Sequence, residues 1–147
     1  MIDIQEVQIF EIQREHLPEV IHVLQSISKF KPVQTELDQI WHEFRNQPNV
    51  FGFVAAIDKN ILAYGSITIE KKIRGGVLAH LKDIAVHNDY RELGLGNMMV
   101  TFLCKFAKNL GCYKCVLASK DTNLQFYKKC SFNEGGTHME IFLDDFS

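Results

Sequence analysis

At 147 residues, 46% of them apolar, the chain is long enough to bury a core as one domain without disulfide or metal staples. A formal net charge of −2 gives no electrostatic reason for a nucleic-acid or anionic-membrane partner, and neither is expected. No apolar run approaches the roughly 18 residues of a membrane span and no basic-then-apolar leader opens the chain, so a cytoplasmic address is expected.

Val7 to Ile12 alternates apolar and polar residues and predicts a first strand. Leu17, Val20, Ile21, Leu24 and Ile27 then recur at helical spacing, with Pro18 tolerable in the first turn. A second helix follows Thr35, with Leu37, Ile40, Trp41 and Phe44 on one face, Thr35 and Asp38 as a capping arrangement, and Pro48 as its stop. Asn49 to Asp58 predicts a strand, Asp58-Lys59-Asn60 a turn, and Ile61 to Ile73 its hairpin partner. Arg74-Gly75-Gly76 is the next turn and Val77 to Val86 a third antiparallel strand. After the polar loop His87 to Leu93, Gly94 to Leu110 places Leu95, Met98, Met99, Phe102, Leu103 and Phe106 at helical spacing, capped by Gly111. Lys114 to Ala118 reads as a short strand, Asn123 to Lys129 as a short helix, and Thr137 to Leu143 as a final strand. The order β-α-α-β-β-β-α-β-α-β predicts a single α/β domain over residues 1–147, a mixed and mostly antiparallel sheet flanked by helices.

Cys112 and Cys115 form a C-x-x-C spacing, but Cys104 and Cys130 supply no second close pair for a structural zinc site. The four cysteines read as reduced, packing residues, and no metal is expected.

Chemistry concentrates in two places. The strand ending at Val86 runs through Arg91-Glu92-Leu93-Gly94-Leu95-Gly96 into the long helix. Glycines let the backbone aim successive N–H groups at one point, and the helix start adds unsatisfied donors and a positive dipole end. A phosphate or pyrophosphate is the natural occupant, with Arg91 as a cationic fork. A Walker loop is excluded because Asn97-Met98 follows Gly96, and a Rossmann fingerprint because the loop follows an antiparallel hairpin in mid-chain. In the second place, Asn123 offers a side-chain amide one turn ahead of Tyr127, whose hydroxyl can donate a proton, with Phe126 beside it.

Together these segments resemble the GNAT acyltransferase superfamily. Arg91 to Gly96 is similar to its Q/R-x-x-G-x-G/A signature, and Asn123…Phe126-Tyr127-Lys128-Lys129-x-x-Phe132 to its second motif. Within the superfamily the likeness, from about Phe53 onward, is to the glucosamine-6-phosphate N-acetyltransferases. It implies acetyl-CoA as co-substrate, pantetheine held by the backbone of Ile84, Ala85 and Val86, and pyrophosphate on Arg91, Glu92, Leu93, Gly94, Leu95 and Gly96. It further implies contacts to the cofactor from Asn123 and Phe126, and Tyr127 as proton donor to the departing thiolate. Asp83, with His80, is the candidate to take the amine proton; Lys71, Lys72, Arg74 and Lys82, together with Asp83, are candidates to hold a phosphorylated amino sugar. The resemblance also implies a homodimer and an early step of UDP-N-acetylglucosamine synthesis. The chain departs from the family pattern at Lys82, Ala118 and Phe142. An enzyme for another small amine or a protein N-terminus, and a non-catalytic acyl-CoA-binding module, stay open on the residues alone.

Overall fold

The structure, a computed structural model, describes residues 2–146. Its contacts divide the chain into a unit ending at Leu117 and a second beginning at Ala118.

In the first unit five strands form one sheet: β1 (Gln8–Glu11), β2 (Val50–Ile57), β3 (Asn60–Lys71), β4 (Val77–Val86) and β5 (Lys114–Val116). They lie side by side in chain order, antiparallel except for the parallel β4–β5 pair. Helices α1 (Leu17–Leu24), α2 (Leu37–Arg45) and α3 (Leu95–Asn109) cover the sheet. The expected α/β architecture is therefore present, with β4 at its expected limits and the ends of the other strands shifted by one or two residues.

Two cores result, one on each face. Leu17, Val20 and Val23 of α1 and Leu37 of α2 pack with Val54, Ala56, Tyr64 and Ala85, and Trp41 and Phe44 close the cluster. On the opposite face α3 buries Leu95, Met99, Val100, Leu103 and Ala107, the stripe that its helical spacing dictates. Here Phe53 stacks edge-on against Phe102 and Phe106, each at 4.9 Å between ring centroids. Gly65 lies opposite Phe53 in the β2–β3 register, and a Cβ there would meet Met99 Cγ at 2.9 Å and Leu103 Cδ1 at 3.0 Å. The missing side chain lets α3 settle close to the sheet. Gly111, at φ +87°, ends α3 as expected: Cys112 N–H bonds to Ala107 O at 3.0 Å and Gly111 N–H to Lys108 O at 3.0 Å.

Three local expectations need correction. The first helix stops at Leu24 and leaves Ile27 exposed beyond a turn. Thr35 and Asp38 make no cap. Thr35 lies inside a 3-10 turn, Gln34–Glu36, so Glu36 Oε1 accepts the Val33 N–H at 2.9 Å instead, while Asp38 Oδ1 takes the Arg14 Nε–H at 2.8 Å. The strand expected over Thr137 to Leu143 is absent among the described residues. In the second unit α4 (Leu124–Lys129) is followed by residues 137–142 without regular structure and a 3-10 turn at Leu143–Asp145. An extended run becomes a strand only when a ladder satisfies its backbone. This run has no such partner, and its Met139 and Phe142 side chains are 87% and 75% exposed.

Leu103 is fully buried against the Gly65 gap. Leu103→Ala should destabilise the protein by about 2–5 kcal/mol, read as a lower urea midpoint with an unchanged slope.

Candidate active site

The site in the first unit starts from a bulge. Ser66 lies opposite Lys82 and Tyr64 opposite Ala85, so Asp83 and Ile84 together face the one residue Gly65. The extra residue is accommodated by Asp83 at φ 53°, in the left-handed region that aspartate tolerates better than most side chains. A bulge bends its strand. The parallel ladder with β5 reaches only Leu78↔Lys114, Ala79↔Cys115 and His80↔Val116. Past His80 the β4 edge carries no β5 partner among the described residues, and Ile84, Ala85 and Val86 lie along that unpaired stretch.

Beyond β4, His87 caps a 3-10 turn, Asn88–Tyr90, its Nδ1 accepting the Asp89 N–H at 3.0 Å. The chain then reaches Arg91, Glu92, Leu93 and Gly94, all exposed, before Leu95 buries itself at the start of α3. Glu92 (φ 64°) and Gly94 (φ 88°) both take the left-handed conformation, which turns neighbouring N–H groups toward a common side. Met98 N–H makes the first helical bond, to Gly94 O at 3.0 Å, so the N–H groups of Leu95 and Gly96 have no acceptor within α3. Such a cradle at the positive end of a 15-residue helix suits an anion. The six residues singled out by the sequence are brought together here.

Beside the bulge β3 and β4 carry polar side chains. Ser66 Oγ donates to Lys82 O at 3.1 Å. Tyr64 is buried beside Ser66, and burial, then the Asp83 charge, hold its phenol well above the usual tyrosine range. His80 Nε2 lies 2.9 Å from Glu70 Oε1. That hydrogen bond, aided by the charges of Lys72, His80 and Arg74, holds the Glu70 carboxyl below the usual carboxylate range. His80 is thus engaged by Glu70, and Asp83 is left as the acid next to the bulge. Lys72 and Arg74 gather around Glu70, and Lys82 projects an exposed side chain one residue before Asp83. Sequence reasoning missed Tyr64, Ser66 and Glu70. The signal was Tyr64-Gly65-Ser66, a polar break inside an otherwise apolar strand.

In the second unit Asn123 is the N-cap residue of α4 but makes no side-chain cap, which leaves its amide for other partners. Tyr127 lies against Phe126 at 5.0 Å and Phe132 at 5.9 Å between ring centroids. Burial, then the Cys130 sulfur, push its phenol above the ordinary value, so it holds its proton through neutral pH. Ser131, at φ 74°, fills the left-handed position that usually takes glycine, and Phe132 N–H closes the turn on Tyr127 O at 3.0 Å.

Comparison with known proteins agrees with this geometry. The profile of the acetyltransferase (GNAT) family matches residues 11–132. The chain is 33% identical over 125 residues to glucosamine 6-phosphate N-acetyltransferase 1 of Dictyostelium discoideum, covering 82% of this chain and 80% of that one. It is 26% identical over 125 residues to the glucosamine 6-phosphate N-acetyltransferase of Candida albicans, covering 82% and 83%. The crystal structure of glucosamine-6-phosphate N-acetyltransferase from Arabidopsis thaliana superposes with a TM-score of 0.85 at 28% identity, covering 94% of this chain and 99% of that one. The chain belongs to the GNAT acetyltransferase family and is an N-acetyltransferase.

Proposed function

We propose that the enzyme transfers the acetyl group of acetyl-CoA directly to the amine of glucosamine 6-phosphate, releasing N-acetylglucosamine 6-phosphate and free CoA. The observation that carries this reading is the 33% identity, over four-fifths of both chains, to a relative named for that acceptor. The unpartnered β4 edge and the Arg91–Gly96 cradle support acetyl-CoA as the donor.

In this reading the backbone of Ile84, Ala85 and Val86 pairs with the pantetheine, and the N–H groups from Arg91 to Gly96 hold the pyrophosphate. Asn123 and Phe126 contact the donor from α4. Asp83 takes the proton that the sugar ammonium must lose before its nitrogen can attack. Backbone N–H groups around Ile84 to Val86 stabilise the oxyanion that forms on the thioester carbonyl oxygen when the amine adds to its carbon. As the C–S bond breaks, Tyr127 gives its proton to the thiolate. Lys72, Arg74 and Lys82 hold the sugar phosphate. The raised phenol of Tyr127 supports its role, because a proton donor must arrive protonated.

We also propose that the protein works as a homodimer in the cytoplasm. The exposed run of Met139, Ile141, Phe142, Leu143 and Phe146 supports a second copy covering it, and four free thiols suit a reducing compartment.

Incubating the protein with acetyl-CoA and glucosamine 6-phosphate should release CoA thiol well above the hydrolysis background. Turnover with other amines but not with this sugar would overturn the acceptor and leave the acetyltransferase standing. Tyr127→Phe should lower kcat about a hundredfold while the KM for acetyl-CoA stays within a few-fold. Asp83→Asn keeps a residue that tolerates the left-handed backbone and should cost a similar factor in kcat/KM. Light scattering should return twice the 16.9 kDa chain mass, and a monomer mass would exclude the dimer.

A further inference from the structure

The C-x-x-C spacing draws attention to Cys112 and Cys115, but the fold brings Cys115 beside Cys104, a residue eleven positions earlier and on another element. Cys104 follows Leu103 on α3 and shares a face with Val100 and Ala107, both buried toward the sheet. Cys115 is the middle residue of β5, in register with Ala79 of β4. Ala79 lies opposite Ile69, two alternations along β3 from Gly65, and therefore on the face that α3 covers. Helix and edge strand thus present two thiols to each other. Each cysteine remains partly exposed, so a small solute can reach the pair. Among the described residues no group of three or more His, Cys, Asp or Glu side chains is placed to hold a metal ion.

We propose that Cys104 and Cys115 are a peroxide-oxidisable dithiol that closes to a disulfide between α3 and β5. The contact between the two thiols supplies a direction of reaction. The neighbouring Cys115 draws the Cys104 thiol down to about 7, while Cys104, burial and the Cys112 sulfur push Cys115 up. Burial also pushes Cys112 up, which sets it apart from Cys104. Cys104 is the attacking thiolate and Cys115 the resolving thiol.

The step balances with hydrogen peroxide as the oxidant. The Cys104 thiolate attacks one peroxide oxygen, the O–O bond breaks, and the departing hydroxide takes a proton to become water. The resulting sulfenic acid is attacked by the Cys115 sulfur. The S–O bond breaks, the leaving oxygen takes the Cys115 proton, and a second water departs as the S–S bond forms. Two thiols lose two electrons to one peroxide. The product ties α3, whose first turn belongs to the anion cradle, to the strand whose end at Val116 bounds the open β4 edge.

The full-length protein is treated with a few equivalents of hydrogen peroxide at pH 7. It is then alkylated under denaturing conditions and examined by intact mass and peptide mapping. Two of the four thiols should become unavailable, with the link mapped to Cys104–Cys115, and dithiothreitol should restore all four. In Cys115→Ser, dimedone should trap a sulfenic acid at Cys104, while Cys112→Ser should oxidise like the parent. Cys104 should react about tenfold faster than Cys112 with a limiting alkylating agent. Four remaining thiols, or a link through Cys112 or Cys130, would overturn the proposal, and the parent protein alone decides this if a variant does not fold.

Discussion

Between Tyr64 and Ser66, β4 carries two residues against one of β3, and an antiparallel ladder absorbs such a mismatch only by bending. Asp83 takes the strain, at φ 53°. What lies around it depends on that accommodation. The parallel ladder to β5 ends at His80 and Val116, so a stretch of β4 edge has no strand partner among the described residues. An open edge invites strand pairing by another chain. The residue opposite the bulge has no side chain, which lets Met99 and Leu103 of α3 come in against the backbone.

The anion cradle is then fixed relative to that edge by a short connection. Nine residues separate Val86 from Gly96, and three devices hold their path: the His87 cap, the left-handed Glu92 and the left-handed Gly94. Glu92 pays for its conformation, since a non-glycine residue there costs on the order of 1 kcal/mol. The return is an array of N–H groups in front of a helix dipole, with a net attraction for phosphate that does not depend on any single basic side chain.

Much of this was legible in the residues. The apolar stripe from Leu95 to Phe106, the limits of β4 and the Gly111 cap follow from period and turn chemistry, because those segments bury a face. The bulge was not legible. It leaves the Leu81-Lys82-Asp83-Ile84 pattern unremarkable, since register is a property of two strands rather than of one. Glu92 was also hidden, as nothing in a Glu predicts positive φ. The expected strand at Thr137 to Leu143 failed for a related reason: His138 to Phe142 has apolar residues enough for a strand but no ladder among the described residues. Glu70 was overlooked because charged residues near a hairpin tip read as solvated, and only the structure shows His80 reaching it.

The strands occupy the sheet in the order in which the chain presents them, which bears on how the molecule assembles. Hairpins β2–β3 and β3–β4 close with short turns and cost little loop entropy. The β4–β5 pair needs a crossover through all of α3 before three residue pairs form. It is the join with the fewest residue pairs to hold it, although β1–β2 closes the longer connection, residues 12–49. The edge strand beside the open stretch of β4 is therefore held by the shortest ladder of the sheet and should be early to exchange its amides. The open edge therefore sits where breathing costs least, next to a meander with much longer ladders.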